Sequence, residues 1–230
     1  MRFFIVIISI LFLSSPLYSQ EQELHSQYLH LDSATSAGSG THIGNGFVIT
    51  AAHVPLAMGG LKDITKGKKK PKSPQLENMK MENMKMVWES DGAIGEAVPV
   101  YIDEDNDIAL LKITGYEQLK SSRIACDADP KVHDVLTTSS FPTNLGRVED
   151  EGRVIGPVVL RDGWRYKTFL MAMNMIPGQS GGALVNKDGN IVGMINAFPM
   201  FTSTMGAPSL GIAIPGSAIC KSLLKFSEQQ

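Results

Sequence analysis

Pro177-Gly178-Gln179-Ser180-Gly181-Gly182-Ala183-Leu184 carries the pattern G-x-S-G-G, then an apolar run and the turn signal Asn186-Lys187-Asp188-Gly189-Asn190. A serine hydroxyl is a poor nucleophile until a base takes its proton and donors hold the developing oxyanion. Glycines on both sides let the backbone turn sharply, so the amides of Gly178 and Ser180 can aim at one point. A glycine-rich turn with a surface serine has the same composition. The residues upstream decide between the two readings.

Working back from the serine, Asp107-Ile108-Ala109-Leu110-Leu111-Lys112-Ile113 is an acid opening a buried strand. An acid there also serves as a plain turn or cap residue. Further back, Phe47-Val48-Ile49-Thr50 is a β-type run, and Ala51-Ala52-His53 follows it. Small residues ahead of His53 allow close packing, and a strand-end place exposes the imidazole. His53, Asp107 and Ser180 therefore stand in the order His, Asp, Ser, each at a strand end or tight turn. Together they supply a usable set of roles. Ser180 attacks a carbonyl, His53 takes its proton and later returns it to the leaving group, and Asp107 fixes the imidazole tautomer. The amides of Gly178 and Ser180 form the oxyanion hole.

The rest of the chain bounds this reading. With 230 residues the chain has room for one large domain or two small ones. A formal net charge of −2 gives no overall field favouring nucleic acid or an acidic membrane. Cys126 and Cys220 are the only cysteines, too few for a disulfide-built scaffold and without metal-site spacing. His25, His30, His42, His53 and His133 form no paired ligand motif, so no metal or cofactor is expected. Met1-Arg2, the apolar run Phe3 to Leu13 and the small polar stretch Ser14 to Ser19 have the layout of a secretory signal peptide over 1–19. The apolar core is short against the roughly 20 residues of a membrane span. The expectation is an exported protein, periplasmic or secreted, with no stable membrane insertion after cleavage.

Residues 58–90 read as an insertion. Lys66, Lys68, Lys69, Lys70 and Lys72 form a basic run, and Glu-Asn-Met-Lys-Met occurs twice, at 77–81 and 82–86. A period of five fits neither helix nor strand. The second half carries strand patterns at 132–138, 152–160, 164–173, 191–197 and 210–215, with a turn at 139–142. Ile219, Leu223 and Phe226 stand at helical spacing, which predicts a helix over 216–227. Many short strands without β-α-β alternation suggest barrels or a sandwich.

Thr50-Ala51-Ala52-His53, Asp107-Ile108-Ala109-Leu110-Leu111 and Gly178-Gln179-Ser180-Gly181-Gly182 resemble the three signatures of chymotrypsin-fold (trypsin-like) serine proteases. The likeness is nearest to the bacterial HtrA (Deg) proteases and the glutamyl endopeptidases. Gly46 to Ile49, Gly181 to Asn186 and Gly211 to Pro215 strengthen the HtrA side. The resemblance covers about residues 35–225 and implies an all-β fold of two six-stranded antiparallel barrels. The first, 20–120, carries His53, Asp107 and the insertion. The second, 121–230, carries Ser180 and the C-terminal helix. Asp103 and Asp105 rival Asp107, but only Asp107 has the family's sequence context.

The resemblance also has departures. The chain ends just after its C-terminal helix, leaving no room for the PDZ domains of typical HtrA proteases. Gln179 stands where the animal digestive members have an aspartate that pairs with a new N-terminus, so activation by that route is not expected. Pro177 is unusual in the oxyanion loop, where its rigid φ limits rearrangement. By the family pattern the substrate pocket is lined by Asn174, Asn196, Ala197, Phe198 and Gly211. No acid lies among them, and Asn196 stands where glutamyl endopeptidases carry a histidine. Small or medium apolar side chains are therefore the expected preference. In this fold the C-terminal helix packs near the linker, so Cys126 and Cys220 can meet in one disulfide, with two buried free thiols as the other outcome. The function expected is an exported serine endopeptidase acting on protein or peptide substrates through an acyl-enzyme on Ser180. The alternative is a catalytically idle or gated binding protein on the same fold. An esterase more often shows G-x-S-x-G with the order Ser, Asp, His.

Overall fold

The computed structural model describes residues 27–33, 36–56, 84–143, 145–160, 166–197 and 210–230. The expected signal peptide and most of the insertion lie outside them. Twelve strands build two closed barrels, every pairing antiparallel. The first contains β1 (Tyr28–Asp32), β2 (Ala37–Gly44), β3 (Phe47–Ala51), β4 (Met86–Ser90), β5 (Ala93–Asp103) and β6 (Ile108–Ile113). Its order is β1-β2-β3-β6-β5-β4, and β1 pairs with β4 to close it. The second contains β7 (Val135–Ser140), β8 (Val148–Leu160), β9 (Lys167–Ala172), β10 (Ala183–Val185), β11 (Ile191–Ala197) and β12 (Leu210–Pro215), ordered β10-β11-β12-β9-β8-β7. A single pairing of Val185 with Thr137 joins β10 to β7. Two short helices complete the described chain, α1 (His53–Leu56) and α2 (Gly216–Ser227).

Strand alternation accounts for the barrel interiors. β4 buries Met86, Trp88 and Ser90 and exposes Val87 and Glu89, the period-2 pattern of a strand with one face inward. Sequence reading counts these five residues with the insertion. The Glu-Asn-Met-Lys-Met repeat runs into Met86 and hides the change of period. The turn expected at 139–142 also starts later than predicted. Ser139 and Ser140 pair with Glu149 and Val148 and are buried, so β7 continues through them. Trp88 is fully buried and its indole N–H donates to the Thr114 carbonyl at 2.9 Å. Phe169 is the fully buried aromatic of the second core.

Several contacts bind the barrels to one another. Ala125 N–H donates to the Ile191 carbonyl and Ile191 N–H to the Arg123 carbonyl, tying the linker between the barrels, residues 114–134, to β11. His42 is buried and held neutral by that burial. Its Nδ1–H donates to the Lys120 carbonyl (2.7 Å) and its Nε2 accepts from Gly46 N–H (3.2 Å). The predicted C-terminal helix forms as α2, with Ile219 and Ser222 buried and Phe226 packed edge-on to Phe47. Pro215 gives α2 no side-chain cap, and Asp129 from the linker accepts from Ser217 N–H (3.3 Å) in its place. Cys126 and Cys220 are joined by a disulfide, Cα atoms 5.6 Å apart. On the first-barrel side, Asp103 accepts from Ser222 Oγ at 2.9 Å and from Lys225 Nζ at 3.2 Å.

Candidate active site

The first barrel sets two of the three candidate residues together. β3 ends at Ala51, opposite Ile108 at the start of β6, so the next residues of both strands emerge at one edge. Ala52 N–H donates to the Asp107 carbonyl at 3.1 Å. Asp107 has a left-handed backbone, φ 50°, a conformation Asp adopts more readily than most side chains. Both of its carboxylate oxygens are engaged by His53. The His53 backbone N–H donates to Oδ1 at 2.8 Å, and Nδ1 meets Oδ2 at 2.8 Å. An ionised carboxylate can only accept, so Nδ1 carries the proton and Nε2 is left as the basic nitrogen. Asp107 is 2% exposed, whereas the His53 side chain is 33% exposed. Burial opposes the imidazolium, but the charge and hydrogen bond of Asp107 outweigh it. His53 titrates above its ordinary 6.5.

Two residues of the second barrel complete the surroundings of Asp107. Asn196, the penultimate residue of β11, donates from Nδ2 to Asp107 Oδ2. The Tyr166 hydroxyl is hydrogen-bonded to the same carboxylate and to Asn196. Burial, reinforced by the Asp107 charge, pushes Tyr166 upward, so it stays a protonated donor.

Ser180 is reached through the same Asn196. The Ser180 hydroxyl donates to the Asn196 carbonyl at 3.0 Å. One residue therefore bridges two candidates, its backbone to the serine and its side chain to the aspartate. Among the described residues this carbonyl, not His53, is the hydroxyl's partner. Ahead of the serine, Gln179 N–H closes a turn onto the Ile176 carbonyl at 3.2 Å. Pro177 and Gly178 are its central residues, and Gly178 has φ +96°. These are the marks of a type II turn, which needs φ above zero at its third position and favours proline at its second. The Pro177 carbonyl accepts from Thr143 N–H at 3.0 Å. The trans peptide then points Gly178 N–H the opposite way. Among the described residues neither the Gly178 nor the Ser180 amide is spent on a backbone acceptor. Gln179 is 1% exposed and braces the turn from beneath. Its Oε1 accepts from Ile176 N–H (2.8 Å) and its Nε2 donates to Ser140 Oγ (3.0 Å). Gly181, at φ +88°, packs against Ser39 and Thr50 of the first barrel so closely that a Cβ would strike both.

The family described as "Trypsin-like peptidase domain" matches residues 38–194. The chain belongs to the trypsin-like peptidase family. Relatives of this trypsin-like chain include the serine endoprotease DegS of Escherichia coli K12, 33% identical over 129 residues, which are 54% of this chain and 36% of DegS. The periplasmic serine endoprotease DegP of the same strain is 28% identical over 180 residues, 76% of this chain and 36% of DegP. The chain thus spans well under half the length of these curated relatives. Among solved structures, Rv3671c of M. tuberculosis H37Rv in an inactive form superposes with a TM-score of 0.66 at 16% identity, covering 98% of this chain and 97% of that one. A serine endoprotease of Yersinia pestis gives 0.63 at 23% identity over 90% of this chain and 65% of that one. At these identities the two likenesses speak to fold, and the trypsin-like two-barrel fold is what they share.

The residues expected to line a substrate pocket fall on or next to three neighbouring strands, β9, β12 and β11. Asn174 is exposed on β9's extension, and Gly211 is buried under the Met175 side chain. Asn196 is 2% exposed and its carboxamide is committed to Asp107. Ala197 ends β11, and Phe198 lies outside the described residues. A single polar residue closing the apolar run Ile191 to Ile195 was a readable signal for Asn196, because a buried amide needs a partner. Tyr166 carried no such signal.

Proposed function

We propose that the protein is a serine endopeptidase in which His53, Asp107 and Ser180 act as one catalytic unit. The observation that carries this reading is the continuous hydrogen-bonded path His53–Asp107–Asn196–Ser180. In this mechanism Ser180 turns its hydroxyl from the Asn196 carbonyl toward His53 Nε2 and attacks the scissile carbonyl. His53 takes the hydroxyl proton and passes it to the leaving amine. Asp107 stabilises the imidazolium, and the Gly178 and Ser180 amides take the oxyanion. Water then hydrolyses the acyl-enzyme with His53 again as base. Protein or peptide chains are the substrates. Small or medium apolar side chains are preferred, consistent with the apolar Met175 side chain packed over Gly211. The layout of residues 1–19 supports export. Among the described residues no helix is long and apolar enough to cross a membrane.

The resting hydrogen bond from Ser180 to Asn196 favours one second reading, a gated or idle binding protein on this fold. Labelling with a fluorophosphonate, followed by peptide mapping, separates the two. A covalent adduct on Ser180 that disappears in His53→Ala supports the peptidase. Folded protein that takes no label supports the gated form.

A further inference from the structure

The turn that presents the oxyanion donors belongs to the second barrel, yet much of what holds it comes from the first. Ser39 of β2 is fully buried. Its backbone N–H donates to the Ser180 carbonyl at 2.8 Å. Its hydroxyl donates to the Gly178 carbonyl at 2.8 Å and accepts from Phe141 N–H at 2.8 Å. Its own carbonyl accepts from Thr50 Oγ1 at 2.7 Å. The Ser39 hydroxyl is therefore a node between two loops of the other barrel, the turn at 176–179 and the segment at 141–143.

That node bears on peptide direction. A type I and a type II turn differ by a flip of the central peptide, with φ at the third position moving from about +80° to about −90°. In the flipped state the Pro177 carbonyl takes the place of Gly178 N–H, and a donor becomes an acceptor facing the substrate. Thr143 opposes the flip directly, its N–H (3.0 Å) and its Oγ1 (3.3 Å) both donating to the Pro177 carbonyl. Ser39 Oγ anchors the next carbonyl, that of Gly178, which keeps its direction in both turn types. Ser39 Oγ also accepts from Phe141 N–H, two residues before Thr143, so one hydroxyl ties the Gly178 carbonyl to the segment that carries Thr143. Gln179 is bonded within its own barrel and braces the turn from the opposite side.

We propose that Ser39 is a positioning residue for the oxyanion turn, a latch from the first barrel that keeps the Gly178 and Ser180 amides donor-ready without an added activator. The proposal rests on the peptidase reading for its kinetic consequence, but not for its structural one. Ser39→Ala leaves the Gly178 carbonyl and the Phe141 amide without their partner, and the turn gains access to the flipped state. Removing an oxyanion donor outright costs about 10²–10³ in kcat, and a turn that spends most of its time flipped should lose about ten-fold. KM should stay within about two-fold, because the loss is confined to the transition state. The acid limb of the pH profile should not move, because His53 and Asp107 are untouched. Trp88→Phe, which removes the indole hydrogen bond to the Thr114 carbonyl, serves as the control for general destabilisation. It should lower Tm and leave kcat alone.

A folded Ser39→Ala variant with wild-type kcat overturns the proposal, as does a loss of kcat matched by Trp88→Phe. Crystal structures read the turn without any reliance on activity. Gly178 is expected near +96° in the wild type and at negative φ in Ser39→Ala, and an unchanged turn overturns the proposal. If Ser39→Ala does not fold, Thr143→Pro removes both the amide and the hydroxyl that hold the Pro177 carbonyl, at an exposed position, and reads the same latch from its other end. Wild-type kcat in that variant overturns the proposal too. A wild type that neither hydrolyses peptides nor takes the fluorophosphonate sinks the peptidase reading alone, and the two crystal structures still decide the role of Ser39.

Discussion

The two barrels bring their shares of the site to different states of readiness. On the first, His53 and Asp107 are already locked through two hydrogen bonds of 2.8 Å, with the aspartate closed off from water. On the second, the turn is braced but the Ser180 hydroxyl rests on a carbonyl. In the proposed peptidase the base is thus fixed before substrate arrives, and the nucleophile has a rotation still to make. Rigid placement suits the pair whose work is to hold a proton in one tautomer. A side chain that forms and breaks a covalent bond needs one free torsion.

The largest expected effect removes the mobile half. Ser180→Ala should lower kcat by about 10⁶-fold while leaving the His53–Asp107 bonds in a crystal structure unchanged. Asp107→Asn strikes the fixed half. It permits the wrong imidazole tautomer and sets two amide groups, its own and that of Asn196, against each other, and kcat should fall about 10⁴-fold. Asn196→Ala tests the bridge. Removing one donor from a buried carboxylate costs about 1–3 kcal/mol, and a fall in kcat of about ten-fold or more, with peptide cleavage as the assay, is expected.

The pH profile gives the finest test of the comparison. His53 must be neutral to act, and its raised pKa places the acid limb of kcat/KM above 6.5. Stability has the opposite sign. The imidazolium–carboxylate pair contributes fully below pH 6.5, and that contribution is lost as pH rises through the folded pKa. Asp107→Asn should move the acid limb downward, since burial then acts on His53 without the opposing charge. An acid limb in the wild type below 6.5 contradicts the tight pair.

How much of this was legible beforehand depends on the range of the signal. His53, Asp107 and Ser180 each sit in a local pattern of small or apolar neighbours, and the order of the three implies a family and hence two barrels. α2 was readable from the spacing of Ile219, Leu223 and Phe226, because a helix is a local structure. Met86–Ser90 was not, because its alternation merges with the repeat before it. Asn196 was assigned to a pocket by its position along the chain, and its side chain turns the other way, toward a carboxylate 89 residues upstream. Tyr166 and Ser39 share that difficulty. Each has a partner on the other barrel, Asp107 for Tyr166 and Gly178 for Ser39, and no local pattern encodes a contact between two closed sheets.

Asp103 accepts from Ser222, 119 residues further along the chain, and from Lys225. It also accepts from Asn106, the residue just before Asp107. During synthesis, therefore, the first barrel leaves the ribosome with the turn ahead of its aspartate still missing two anchors. Those anchors arrive with α2, after Ser180 has already been made. Full support of the turn before Asp107 waits on α2, so a partly made chain carries the Ser180 loop before that turn is fully secured.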